Sequence, residues 1–154
     1  MEVYLVQHGE AKPEAEDPGR PLTDRGRAEA EAVARHVAGL GIEVSRILHS
    51  GKLRALQTAE VFAQHMNPGE GVLERQGLSP ADDHREAKQL LEEAEKPLML
   101  VGHLPHLSRL AASLVVSDPD QEVVRFRMAG IVCLVKTGTG WAVKWAVIPE
   151  TVRV

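Results

Sequence analysis

The sequence predicts an α/β fold in three layers, with a mainly parallel sheet between helices and an antiparallel piece added by the C-terminal strands. Three observations carry this. Short apolar runs alternate four times with stretches of helical period. One of those runs, Leu98 to Val101, is apolar throughout, as in a strand covered on both faces. The last third changes character, with strand-like runs and no helical stretch between them.

Taken in order, Val3 to Val6 reads as a short buried strand. Thr23 suits a helix N-cap, and Ala30, Val33, Val37 and Leu40 then recur at helical spacing until Gly39 and Gly41 close the helix. Val44 to Leu48 is the second strand, and Leu53 to His65 the second helix, with Leu56, Ala59, Phe62 and Ala63 on one face. A weaker strand, Val72 to Arg75, precedes a helix over Asp83 to Ala94, where Ala87, Leu90, Leu91 and Ala94 align. Leu98 to Val101 then leads into a helix over Leu107 to Val115, with Pro105 at its start. The tail predicts strands at Glu122 to Phe126, Ile131 to Lys136 and Ala142 to Ile148, the last two joined by a hairpin at Gly138 to Gly140.

Composition narrows the function. A chain of 154 residues, 44% apolar and 26% charged, suits one globular domain over residues 1–154. The net charge of −4, with Lys and Arg scattered, argues against a nucleic-acid surface. The single Cys133 excludes an internal disulfide and fits a reducing compartment. No window approaches the ~20 apolar residues of a membrane span, and no signal peptide opens the chain. A cytoplasmic protein is expected.

In open α/β sheets, ligands gather beyond the carboxyl ends of the strands. His8 follows the first strand. Ser50, Lys52 and Arg54 follow the second, Asp82, Asp83 and His84 the third, and His103 the fourth. Two histidines with arginines suit phosphoryl transfer. A neutral imidazole nitrogen can attack phosphorus. Guanidinium forks match phosphate oxygens, and a second, protonated histidine can donate to a third oxygen. Gly9, following His8, would let a backbone amide approach the phosphate. His103 and His106 have H-x-x-H spacing, but no further ligands support zinc, so no metal and no cofactor are expected.

The stretches "QHGE" at 7 to 10, "RPLTDRG" at 20 to 26, "HSGKLRALQTAE" at 49 to 60 and "GHLPHL" at 102 to 107 resemble the histidine phosphatase superfamily. The short length and "RPLTDRG" resemble its SixA-type phosphohistidine phosphatases in particular. The resemblance implies a phosphoglycerate mutase-like fold, a nucleophile at His8 and a second phosphate-pocket histidine at His103. It further implies phosphate-binding arginines at Arg54 and, at the rim, Arg20. Glu10 matches an acidic position after the histidine motif, and Asp82 is the candidate for an acid after the third strand. Arg20 could instead pair with Asp17 or Asp24, and Glu10 and Asp82 could be solvated acids.

Two positions depart from the resemblance. The family arginine before the nucleophile is Gln7 here, which keeps an N–H donor at the phosphate but neither the fork nor the charge. Gly51 stands where the family has proline, which reads as a change of loop stiffness. Three functions follow as alternatives. The first is a metal-free phosphatase acting on phosphohistidine of a signalling protein, since the chain has little room for a lid over a small substrate. The second is a small-molecule phosphomonoesterase. The third, resting on Gln7, is a catalytically weakened phosphate-binding module. The expected partner is thus a phosphorylated protein or small molecule.

Overall fold

The structure, a computed structural model, describes residues 1–152. In chain order its elements are β1 (Glu2–Gln7), α1 (Asp24–Gly39), β2 (Arg46–His49), α2 (Leu53–Met66), β3 (Val72–Glu74), α3 (His84–Glu93), β4 (Leu98–Gly102), α4 (His106–Val116), β5 (Ile131–Lys136) and β6 (Trp141–Val147). The strands form one sheet in the order β3-β2-β4-β1-β5-β6. The pairs β3–β2, β2–β4 and β4–β1 are parallel, and β1–β5 and β5–β6 are antiparallel. This is the three-layer, mainly parallel arrangement that the alternation of runs predicts.

Side-chain alternation along β1 explains why the run from Val3 to Val6 is apolar at every position. Tyr4 and Val6 face a core that includes Ala30, Val33, Val37 and Phe62 of α1 and α2. Val3 and Leu5 face the opposite core, with Leu91, Leu107 and Leu110 of α3 and α4. Burial on both faces leaves no polar position within the run. β4 is buried along its whole length for the same reason.

The helix starts follow their caps. Thr23 accepts at Oγ1 from the Gly26 amide, as its sequence position predicts. Asp83 caps α3 by accepting from the Arg85 amide, so it precedes the helix instead of opening it. Leu40 differs from the periodic reading. It is the C-cap of α1 and is 61% exposed, because its amide folds back onto the carbonyls of His36 and Val37 and turns the side chain off the buried face.

The segment Glu122 to Phe126 is not a strand, contrary to its apolar pattern. Its natural neighbour β5 already lies between β1 and β6, so the ladder has no vacant side. Val123, Val124 and Phe126 instead pack against the α3–α4 core, and that packing accounts for their spacing.

Gly26 bears most directly on the site. A Cβ built there would lie 2.2 Å from the Glu10 carbonyl oxygen, so α1 can meet the segment after His8 only if this residue has no side chain. Gly39, in the same helix, has open space around it. Gly26→Ala should therefore destabilise the fold by about 1–3 kcal/mol in urea unfolding, the range of an overpacked interior. Gly39→Ala should leave stability equal or slightly higher. Equal effects at the two positions would show that the approach of α1 to Glu10 is not the constraint.

Candidate active site

The carboxyl ends of β1, β2 and β4 carry the polar residues that the sequence singles out. β1 pairs with β4 in the register Val6↔Val101 and Gln7↔Gly102. The His8 amide extends the ladder by donating to the Gly102 carbonyl at 3.0 Å. His8 and His103 consequently leave adjacent strands side by side, with ring centroids 5.0 Å apart and planes inclined by 47°.

The state of the His8 ring follows from one contact. Nδ1 lies 2.7 Å from the Gly9 carbonyl oxygen, which can only accept. Nδ1 therefore carries the proton, and in the neutral ring the lone pair is on Nε2. Burial lowers the His8 pKa first, and the guanidiniums of Arg54 and Arg20 lower it further, against the pull of the Gly9 carbonyl. The ring is held as a neutral nucleophile.

His103 is 1% exposed. Burial, followed by the fields of His8, Arg54, Lys52 and His106, pushes its pKa from 6.5 to about 3. Burial thus disfavours the protonated ring that the sequence reading expects of the second histidine. Nε2 lies 2.6 Å from Ser50 Oγ, and Nδ1 is buried and unpaired among the described residues. Ser50 Oγ also accepts from the Lys52 amide; a Ser50 hydrogen directed to Nε2 would leave the ring proton on Nδ1.

Arg54 is the second residue of α2, and its Nε is buried without a partner. Burial and then Arg20 lower its pKa, so the two guanidiniums feel one another. Arg20 sits at φ +50 and donates from Nε to the Lys12 carbonyl, not to Asp17 or Asp24. Among the described residues, Gln7 Oε1 is likewise buried and unpaired. His8, His103, Arg54, Arg20 and Gln7 thus occupy one edge of the sheet.

The two candidate acids are engaged elsewhere. Glu10 accepts from the Thr23 hydroxyl at 2.8 Å and so supports the start of α1. Asp82 accepts from the Ser79 amide at 2.9 Å and lines a groove with His84, Lys88 and Arg109. Among the described residues, neither is hydrogen-bonded to His8 or His103. His106 is 1% exposed, and among the described residues no three His, Cys, Asp or Glu side chains form a metal-sized group.

Thr58 is the residue that sequence reasoning missed. Its Oγ1 accepts from the Gly9 amide at 3.0 Å and donates to the Arg54 carbonyl at 2.8 Å, locking the His8 loop to α2. The available signal was the four-residue spacing of Arg54 and Thr58 within "LRALQT". The Gly9 amide is therefore occupied, and the role of Gly9 is different from the one expected. A Cβ there would sit 3.0 Å from the Gly26 carbonyl, so glycine is needed for packing. Gly51 also differs from its reading. Its φ is +90, a conformation closed to proline, so the exchange reshapes the loop as well as softening it.

A surface hollow of about 370 Å³ lies at the opposite edge, by the amino ends of β2 and β4, lined by Ser45, Arg46, Lys96 and Leu98. It carries no histidine, and the carboxyl edge remains the chemically equipped one.

Comparison with known proteins agrees with this geometry. Residues 3–82 match the histidine phosphatase superfamily, branch 1. The phosphohistidine phosphatase SixA of Escherichia coli K12 is 30% identical, over 97% of this chain and 94% of its own. A solved structure of the protein histidine phosphatase SixA complexed with tungstate superposes with a TM-score of 0.85 at 27% identity, covering 97% of this chain and 98% of that one. A phosphoserine phosphatase from Entamoeba histolytica shares the fold, with a TM-score of 0.71 at 16% identity over 94% and 95% of the two chains. The chain belongs to the histidine phosphatase superfamily. Within it, this is a hydrolase of the phosphoglycerate mutase-like fold, similar to SixA over nearly its whole length.

The depressed histidines make stability depend on pH. Unfolded, His103 binds a proton near pH 6.5; folded, it does so only near 3. Between these values the unfolded chain holds more protons, so stability is full above about pH 6.5 and falls as the pH drops toward 3. Each such ring contributes a slope of up to about 1.4 kcal/mol per pH unit. Urea unfolding at about pH 7 and about pH 5 should show the loss, and His103→Gln should reduce it. An undiminished pH slope in that variant would mean that His103 is not one of the groups responsible.

Proposed function

We propose that this phosphatase hydrolyses phosphohistidine carried on a protein, through a covalent phosphohistidine at His8. The observation that carries the reading is the ring of His8, with Nδ1 bound to the Gly9 carbonyl and Nε2 free beside His103. Nε2 attacks phosphorus as the bond to the substrate imidazole breaks. That imidazole, already protonated on its other ring nitrogen, leaves as a neutral base. Water then attacks the phosphorus, the bond to Nε2 breaks, and phosphate departs with His8 restored. Arg54 and Arg20 hold the phosphoryl oxygens, and the Nδ1 proton of His103 donates to one of them.

Two features support a protein-borne phosphohistidine. Three of the loops at the carboxyl edge are short, spanning residues 50–52, 75–83 and 103–105; the longer 8–23 is folded back on itself by the Ala11–Leu22 bridge, and 117–130 is tied down where the Ala129 amide donates to the Gln7 carbonyl. A side chain presented by another protein can reach such a site. In addition, Glu10 and Asp82 are hydrogen-bonded to Thr23 and Ser79. A protonated imidazole leaves without an external acid, whereas the alkoxide of a phosphomonoester needs one. The tungstate held by the similar SixA structure has the tetrahedral oxyanion shape of a phosphoryl group, in keeping with the pocket assigned here.

Phosphate release should be measured over a panel of phosphohistidine proteins and phosphomonoesters. The expected result is turnover of the former and little of the latter. The reverse would assign a small-molecule phosphomonoesterase, and phosphate binding with no turnover would assign a binding module. An alkaline quench should trap an acid-labile phosphate on the enzyme, and His8→Ala should remove both label and activity. Arg54→Ala should cost roughly 10²–10³ in rate, the scale for loss of a fixed anion donor. Activity should persist in EDTA; loss restored by a divalent cation would overturn the mechanism.

A further inference from the structure

Gln7 ends β1 opposite Gly102, one residue before His8. Its carbonyl accepts from the Ala129 amide, so the backbone is fixed on both sides. The side chain is not satisfied in the same way: Oε1 is closed to solvent and has no hydrogen-bond partner among the described residues. A buried acceptor left without a donor is costly, and a ligand that supplies the donor recovers that cost. Of the unpaired polar atoms beside His8, Arg54 Nε is a donor, and His103 Nδ1 is one in the tautomer whose Nε2 accepts from Ser50. A fully ionised phosphoryl group could accept from both but would offer Gln7 Oε1 no donor.

We propose that Gln7 makes this pocket select phosphoryl groups that carry one proton. Oε1 accepts from the P–O–H, and the amide nitrogen beside it donates to a neighbouring phosphoryl oxygen. An arginine fork in this position would instead match two ionised oxygens. The inference rests on the phosphatase reading of the site and adds the protonation state of its substrate. The lowered pKa of His8 is in keeping with it, since the nucleophile is held neutral to lower pH than a free imidazole, and a phosphomonoester dianion takes up one proton as the pH falls through about 6.

Sulfate tests the idea, because it has the shape of phosphate but stays a dianion without an O–H. The charged and titratable groups around the site are Arg20 from the β1–α1 loop, Lys52 and Arg54 at α2, His8 after β1, His103 after β4 and His106 at α4. They attract both anions, and any proton taken up by a histidine assists both. On charge alone they favour sulfate over the phosphate monoanion. A preference for phosphate at low pH therefore isolates the O–H contact.

Calorimetric titration of the wild-type chain at about pH 5.5 should show inorganic phosphate binding roughly 10-fold tighter than sulfate. The preference should persist at about pH 8, where the hydrogen phosphate dianion has the same charge as sulfate and still carries one O–H for Oε1 to accept from. Gln7→Leu should bring the ratio at low pH to about one or below. Gln7→Arg should tighten both anions and remove the preference. Sulfate equal to or tighter than phosphate at low pH in the wild type, or a ratio unchanged in Gln7→Leu, would overturn the assignment of Gln7 while leaving the phosphatase reading in place. Failure of the wild type to bind either anion would overturn both.

Discussion

The parallel pairing of β1 with β4 is the constraint on which the site depends. Gln7 faces Gly102, and the next amide, that of His8, donates to the Gly102 carbonyl. This one register brings the residues after the two strands together as a histidine pair. It is enforced by burial on both faces, since a slip of one residue would exchange the side chains that meet α1 and α2 for those that meet α3 and α4. The two sides differ in their large residues, Tyr4 and Phe62 belonging to one core and Leu5 and Leu107 to the other. The core therefore sets the site, and the histidines need no contact with each other to stay paired.

The first turns of α2 carry the second layer of organisation. Thr58 ties the Gly9 amide to the Arg54 carbonyl, and Gln57 accepts from the Leu22 amide, so one helix positions both the His8 loop and the segment after Arg20. Gly26 lets α1 close on the same loop from the other side. The enclosure has an electrostatic result. Buried histidines among fixed guanidiniums remain neutral at ordinary pH. A neutral imidazole with its proton directed to a carbonyl is a usable nucleophile, and a protonated one is not.

The sequence made the layers legible because strands covered on both faces have to be apolar at every position, and the helices between them are not. It did not distinguish the ladder of β5 from the packed segment at Glu122 to Phe126. Apolar spacing records burial, and both carry apolar side chains against the core, those of β5 mostly buried and those of the segment partly so. The site was legible where chemistry demands a residue type, as at His8, His103 and the arginines. It was less so where geometry decides. Glu10 and Asp82 are acids in suitable loops, but the Thr23 hydroxyl and Ser79 amide engage them. Thr58 has no distinctive chemistry and matters only through two hydrogen bonds. Gly51 looked like a loss of stiffness, and only its φ of +90 reveals a different loop path.

On the proposed reading, a neutral residue at position 7 also balances the site. The half-buried His8 already feels Arg54 and Arg20, and the buried His103 feels Arg54 and Lys52. One more unit charge about 4 Å away would add roughly 4 kcal/mol of repulsion against protonating either ring, at an effective dielectric of 20. The same charge would hold phosphate more tightly before reaction, after reaction and in the transition state alike. In a loose phosphoryl transfer little new charge develops on the oxygens, so most of that gain is uniform binding, which slows product release without lowering the barrier. Glutamine avoids both effects. It leaves the histidine pair free to take up a proton when an anion enters, and it makes part of the attraction depend on a proton that the ligand brings. The static charge of the pocket is lower, and its response to protonation is correspondingly larger.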